Sequence, residues 1–150
     1  MTDIPRPALI LGFAGLLPFL WGALLVLFPM TFPTFGVTFP GAYGGQVLLL
    51  RYGTIILAFM AGCLWGFAAQ RGRRPAWTEL IVSVLPAIWL FFALAFPGTA
   101  GLWALLGGFV ALLGADLMFA HRGIAPAWWM ALRIPLTVIV SACLLVGALA

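Results

Sequence analysis

Long apolar runs, each about as long as a bilayer is thick and separated by short breaks, leave this chain few ways to fold. From about Ala8 to Phe28 no charged residue occurs, and roughly 20 apolar residues in a helix cross a hydrocarbon core about 30 Å thick. The run is longer than the roughly 7–15-residue apolar region of a secretory signal and ends in Phe28, Pro29 and Met30, so it is expected to stay as a span. Four further runs follow: Gln46 to about Ala69, Thr78 to Phe96, Leu102 to about His121, and Ala127 to Leu149. Pro18, Pro86 and Pro135 lie inside the first, third and fifth and predict kinks, which membrane helices tolerate. The expected fold is an all-α, five-helix transmembrane bundle forming one domain over residues 1–150.

Composition closes off the soluble alternative. Of the 150 residues 65% are hydrophobic and 7% charged, against about a quarter charged in ordinary soluble domains. A globule in water would leave most of that apolar surface wet. The breaks between runs fit the same picture. Residues 29–45, PMTFPTFGVTFPGAYGG, carry the residues that end helices, yet their aromatic rings suit the membrane interface. The turn RGRRPAW at 71–77 is basic, and Glu79 follows it in the first turn of the third run, where an acid is favoured. Residues 97–101 form another turn, and Gly123, Ile124 and Ala125 a third, after which Pro126 suits the first position of the fifth helix.

Charge sets the orientation. On a five-span map Arg6, Arg71, Arg73, Arg74 and Arg122 share one side and the opposite loops carry no Arg or Lys. The positive-inside rule then places the amino terminus in the cytoplasm. The net charge of +4 does not indicate nucleic acid, because the seven basic residues are scattered along the chain rather than gathered on one face. Lys and Asn are absent while Arg, Ala, Gly and Pro abound, a bias that suits a GC-rich bacterial source.

Little else suggests chemistry. Cys63 and Cys143 fall towards opposite membrane faces and read as small packed residues rather than a disulfide. One histidine, His121, sits at a helix end, so no bis-histidine haem site and no metal-ligand spacing is present, and no cofactor is expected. Ser83, Thr137 and Ser141 have no basic partner at a matching depth, and no glycine-rich phosphate loop occurs. The seven Trp, with Trp77, Trp128 and Trp129 near the basic side, read as an aromatic belt.

Three charges inside the runs need a reason, because a charge at mid-membrane costs about 2.5–3.5 kcal/mol on insertion scales. Arg51 lies five residues past Gln46, about 7–8 Å along a helix, within reach of the outer interface by snorkelling or as an anchor for an anionic lipid or partner. Asp116 and Arg133 lie eight residues before and nine after Ile124, so an antiparallel hairpin brings them to one depth as an ion pair. Small residues at four-residue spacing, Ala58, Gly62 and Gly66 in the second run and Gly107, Ala111 and Ala115 in the fourth, predict helix-packing faces.

The stretches LGFAGLLPF (11–19), RYGTIILAFMAGCLWG (51–66) and PAWWMALRIPLTVIV (126–140), in that order, resemble the transmembrane protein 69 family, a group of small bacterial and mitochondrial membrane proteins known as a domain of unknown function. The resemblance covers nearly the whole chain and implies a multi-spanning protein of the bacterial inner membrane without an assigned activity. The expected partners are the lipid bilayer and a membrane-protein partner or second copy. The leading functional expectation is a non-catalytic accessory or assembly subunit, supported by the small-residue faces. A small-solute transporter or channel on the kinked helices is the first alternative, and a lipid- or quinone-binding protein the second.

Overall fold

A computed structural model describes residues 3–28, 33–34, 37–38, 41–70, 77–96 and 98–150. Six helices account for nearly all of it: α1 (Arg6–Ala14), α2 (Leu17–Leu27), α3 (Gly41–Ala69), α4 (Trp77–Ala93), α5 (Gly98–His121) and α6 (Trp129–Leu149). Between α2 and α3, β1 (Pro33–Thr34) pairs antiparallel with β2 (Val37–Thr38). Four helical stretches are long and apolar enough to cross a membrane: Arg6–Leu27, which joins α1 and α2, Gly44–Ala69, Gly98–His121 and Trp129–Leu149. The remaining helix, α4, has 17 residues.

The hydrogen-bond ladder of the first run is interrupted in its middle, between α1 and α2. Pro18 has no N–H to continue the ladder, and the chain turns at Gly15 and Leu16, where the Leu16 amide donates to Phe13 O in a tight turn. From α3 the Tyr52 hydroxyl donates to the Gly15 carbonyl inside that break, 3.0 Å away, supplying the partner that a carbonyl in lipid needs.

α3 is the central element, packing against α2, α4, α5 and α6. It starts at Gly41, five residues earlier than the expected Gln46. The glycines expected to break the helix instead let it cross α2 closely: a Cβ on Gly45 would stand 2.6 Å from Gly22 O and 2.8 Å from the Val26 amide nitrogen. Only part of the expected interfacial segment 29–45 falls within the described residues. α5 likewise starts at Gly98, inside the expected turn 97–101, and α6 at Trp129, three residues after Pro126. The expected residues 71–76 of the basic turn lie outside the described residues.

Leu49, Leu57 and Leu64 of α3, Phe19 of α2 and Leu102, Leu105, Phe109 and Leu112 of α5 form the buried core. Phe19 meets Tyr52 and Phe109 edge-on at 5.0 and 6.1 Å. Outside, Ile10, Leu11, Ile55, Phe59, Phe91 and Val138 are exposed. An apolar exterior of this kind is what a bilayer requires. Cys63 and Cys143 are both free thiols.

Candidate functional site

The polar residues that the helices bury gather where α5 hands over to α6. α5 ends on Gly123 at φ +65°, a left-handed position that glycine occupies without strain. The Ile124 amide donates to Phe119 O at 2.9 Å and the Gly123 amide to Ala120 O at 3.0 Å, the paired bonds of a glycine-terminated helix. This turn fixes the register of the hairpin. On α5 the inward positions Gly101, Leu105, Gly108, Leu112, Asp116 and Phe119 recur every three or four residues, and Trp129, Arg133 and Thr137 do the same on α6.

Arg133 Nε donates to Asp116 Oδ2 at 2.8 Å, and Trp129 Nε1 donates to Asp116 Oδ1 at 2.7 Å. Asp116 is 1% and Arg133 4% exposed, so the pair is removed from solvent. Each carboxylate oxygen therefore has a donor, the condition under which a buried ion pair offsets its desolvation. The donor side is less complete: Arg133 Nη2 and Thr137 Oγ1 are buried without a hydrogen-bond partner among the described residues. Phe67 of α3 stacks edge-on against Trp129 at 4.9 Å and holds the indole in place.

The structure thus brings Asp116 and Arg133 together as the sequence predicts, and adds Trp129. The belt expectation is corrected for Trp129, which is buried and hydrogen-bonded. Its signal was available, since it precedes Arg133 by one helical turn on the same face. Glu79 was also underestimated: it is buried, and Oε1 lies 3.7 Å from Arg122 Nη1, joining the start of α4 to the end of α5. Arg51 stands apart from this cluster on the outside of the bundle, ten residues into α3 rather than five because the helix starts at Gly41.

Most residues of the two small-residue faces meet no other helix of the chain, although Ala115 packs against the core. A Cβ on Gly62, Gly66 or Gly107 would meet nothing within 4 Å, and Ala58 and Ala111 are exposed, with Ala115 half-buried. The close internal approaches fall one position away, at Gly108, whose Cβ would stand 2.7 Å from Leu57, and at Gly45, Gly53 and Gly147. Gly107, Ala111 and Ala115 instead border an apolar groove of about 530 Å³ between α4 and α5, with Pro86 and Trp89 on its other wall.

Apolar-faced helices enclosing a fully buried Asp–Arg pair define a helical membrane protein. The chain belongs to the family described as "Protein of unknown function (DUF3429)", whose model matches residues 4–149. It is 35% identical to Transmembrane protein 69 of Xenopus tropicalis over 99% of this chain and 56% of that protein. The Mus musculus Transmembrane protein 69 is 28% identical over 93% of this chain and 54% of its own length. The chain spans about half the length of these curated relatives. No solved structure matches it.

Proposed function

We propose that this chain is a five-span protein of the bacterial inner membrane, amino terminus in the cytoplasm, acting as a non-catalytic accessory or assembly subunit that packs against a larger membrane complex or a second copy. Support for the fifth span comes from α4: its 17 residues reach about 25 Å at 1.5 Å per residue, within the short end of spanning lengths. The distribution of Arg supports the orientation, and the bias against Lys and Asn supports the source.

The observation that carries the subunit reading is the set of open glycines on the outside. A glycine inside a helix costs about 0.8–1 kcal/mol relative to alanine. Gly45, Gly53, Gly108 and Gly147 offset this by letting helices within the chain approach closely, whereas Gly62, Gly66 and Gly107 have nothing within 4 Å. A helix from another polypeptide, laid along either face, supplies the missing close approach.

A photoreactive side chain at position 62 or 107, activated in native membranes, tests this. The expected product is a protein adduct of one discrete mass, twice that of the chain for a second copy. A probe at Val138, exposed on α6, is expected to give only lipid adducts. If positions 62 and 107 behave like position 138, the subunit reading fails.

A further inference from the structure

Asp116 and Arg133 face inward and hold each other. Arg51, within the apolar stretch Gly44–Ala69, is exposed on the outside of α3 and makes no hydrogen bond or ion pair with any described residue. Charged side chains in spanning helices almost always face a bundle interior or a water-filled cavity and pair there. An outward arginine therefore points to an interior that something beyond this chain completes. Its level in the bundle is fixed by its neighbour: a Cβ on Gly101, in the first turn of α5, would stand 3.2 Å from Leu50 Cδ1. Arg51 thus lies towards the end of α5 opposite Arg122. The chain has no side-chain acid to offer there. Its three are Asp3, Glu79 and Asp116. Asp116 is held by Arg133, about 22 Å along α5 from Gly101 at 1.5 Å per residue. Glu79 lies beside Arg122. Asp3 precedes α1, whose Gly12 lies against Leu132 near the start of α6, so it belongs to the Arg122 end as well. A second copy inserted the same way brings the same three acids to the same depths and supplies none either.

We propose that Arg51 pairs with a carboxylate on a transmembrane helix of a different protein, laid along the face of α3 that carries Arg51, Ile55, Ala58 and Gly62. The inference rests on the subunit reading and narrows it, from a complex or a second copy to a different polypeptide. The four residues follow one another at intervals of four, three and four, which is one side of a helix, and all are exposed. A helix seated on them brings its own side chains to the guanidinium. Charge complementarity then selects an acid at that depth, because an arginine on the side opposite the basic turns runs against the positive-inside distribution and needs an anion to hold it there. A carboxylate is favoured over a lipid phosphate, since anionic headgroups are held by clusters of basic residues. Arg51 has no such company: the other six arginines fall towards the opposite side on the five-span map.

A photoreactive side chain at position 55, one turn from Arg51, is activated in native membranes in parallel with the probe at position 62. The expected adduct at 55 joins this chain to a different protein, and its cross-linked peptide, read by mass spectrometry, carries an Asp or Glu within an apolar stretch of spanning length. Arg51→Gln is expected to lower the yield at least tenfold while leaving the thermal melt of the isolated chain unchanged, because Arg51 has no partner within it. Arg51→Glu is expected to abolish the adduct, and changing the partner's acid to Arg to restore it in that background. An adduct of twice the chain mass, an unchanged yield in Arg51→Gln, a lowered melt of that variant, or no rescue by the charge exchange overturns the proposal and leaves the subunit reading standing. Lipid adducts alone at 55 beside a protein adduct at 62 give Arg51 to a lipid headgroup and overturn it as well. Lipid adducts alone at 55, 62 and 107 remove the subunit reading itself.

Discussion

Asp116 accepts from a cation on one oxygen and from a neutral indole on the other, and these two bonds fail in different ways. Asp116→Asn leaves Arg133 charged and buried without a counter-charge, a loss typically of about 3–5 kcal/mol. Adding Arg133→Gln removes the stranded charge, so the double variant is expected to melt higher in detergent than either single one; additive losses would mean that the groups are not coupled. Trp129→Phe preserves the ring against Phe67 but removes one bond to a charged acceptor, with an expected loss of about 1.5–3 kcal/mol, readable in the same melts. The ion pair was legible because two lone charges stood almost equally far from a turn, eight residues before Ile124 and nine after. The indole carried a signal too, four residues before Arg133, but tryptophan near a basic loop also reads as an interfacial anchor.

At the scale of the helix, the apolar helices were readable and their inward faces were not. Hydropathy says that a segment leaves water, but in lipid both faces of a helix are apolar, so the pattern that separates core from surface in soluble proteins is lost. Small residues alone pointed to 58, 62 and 66 on α3, whereas the described buried set is Gly44, Gly45, Leu49, Gly53, Leu57, Ala61, Leu64 and Ala68. On α5 the buried charge was the better guide, since stepping back from Asp116 by three or four residues passes through Leu112, Phe109 and Gly108 and not through Gly107. Gly45→Ala and Gly62→Ala are expected to part company for this reason. The first drives a methyl group into the backbone of α2, an overpacking cost of about 1–3 kcal/mol. The second meets open space and gains up to about 1 kcal/mol of helix propensity. Thermal melts of the isolated chain check both, and a Gly62→Ala variant that melts well below wild type would place that face inside the fold.

For the molecule as a whole, side-chain hydrogen bonds tie the helices together: Tyr52 reaches the break in the first run, Gln46 Nε2 donates to Gly147 O at 2.9 Å, Trp89 Nε1 of α4 donates to Ala104 O of α5 at 2.8 Å, and Arg133 holds Asp116. The Gln46 bond places the start of α3 beside the end of α6, while Glu79 and Arg122 place the start of α4 beside the end of α5. If each long helix crosses once, Gly147 and Arg122 lie on opposite sides of the bilayer, and α4 has to return the chain between them. Topology therefore rests on whether α4 crosses. In a Cys63→Ala, Cys143→Ala background, Gly72→Cys and Ala127→Cys are expected to react with a membrane-impermeant maleimide only from the cytoplasm, and Thr99→Cys only from outside. Thr99 lies in the first turn of α5, next in the chain after α4, and is exposed, so its side reports whether α4 crosses. Labelling of Thr99→Cys from the same side as Gly72→Cys would remove the fifth span. Labelling of all three from the sides opposite to those expected would keep five spans and reverse the orientation, contrary to the distribution of arginine.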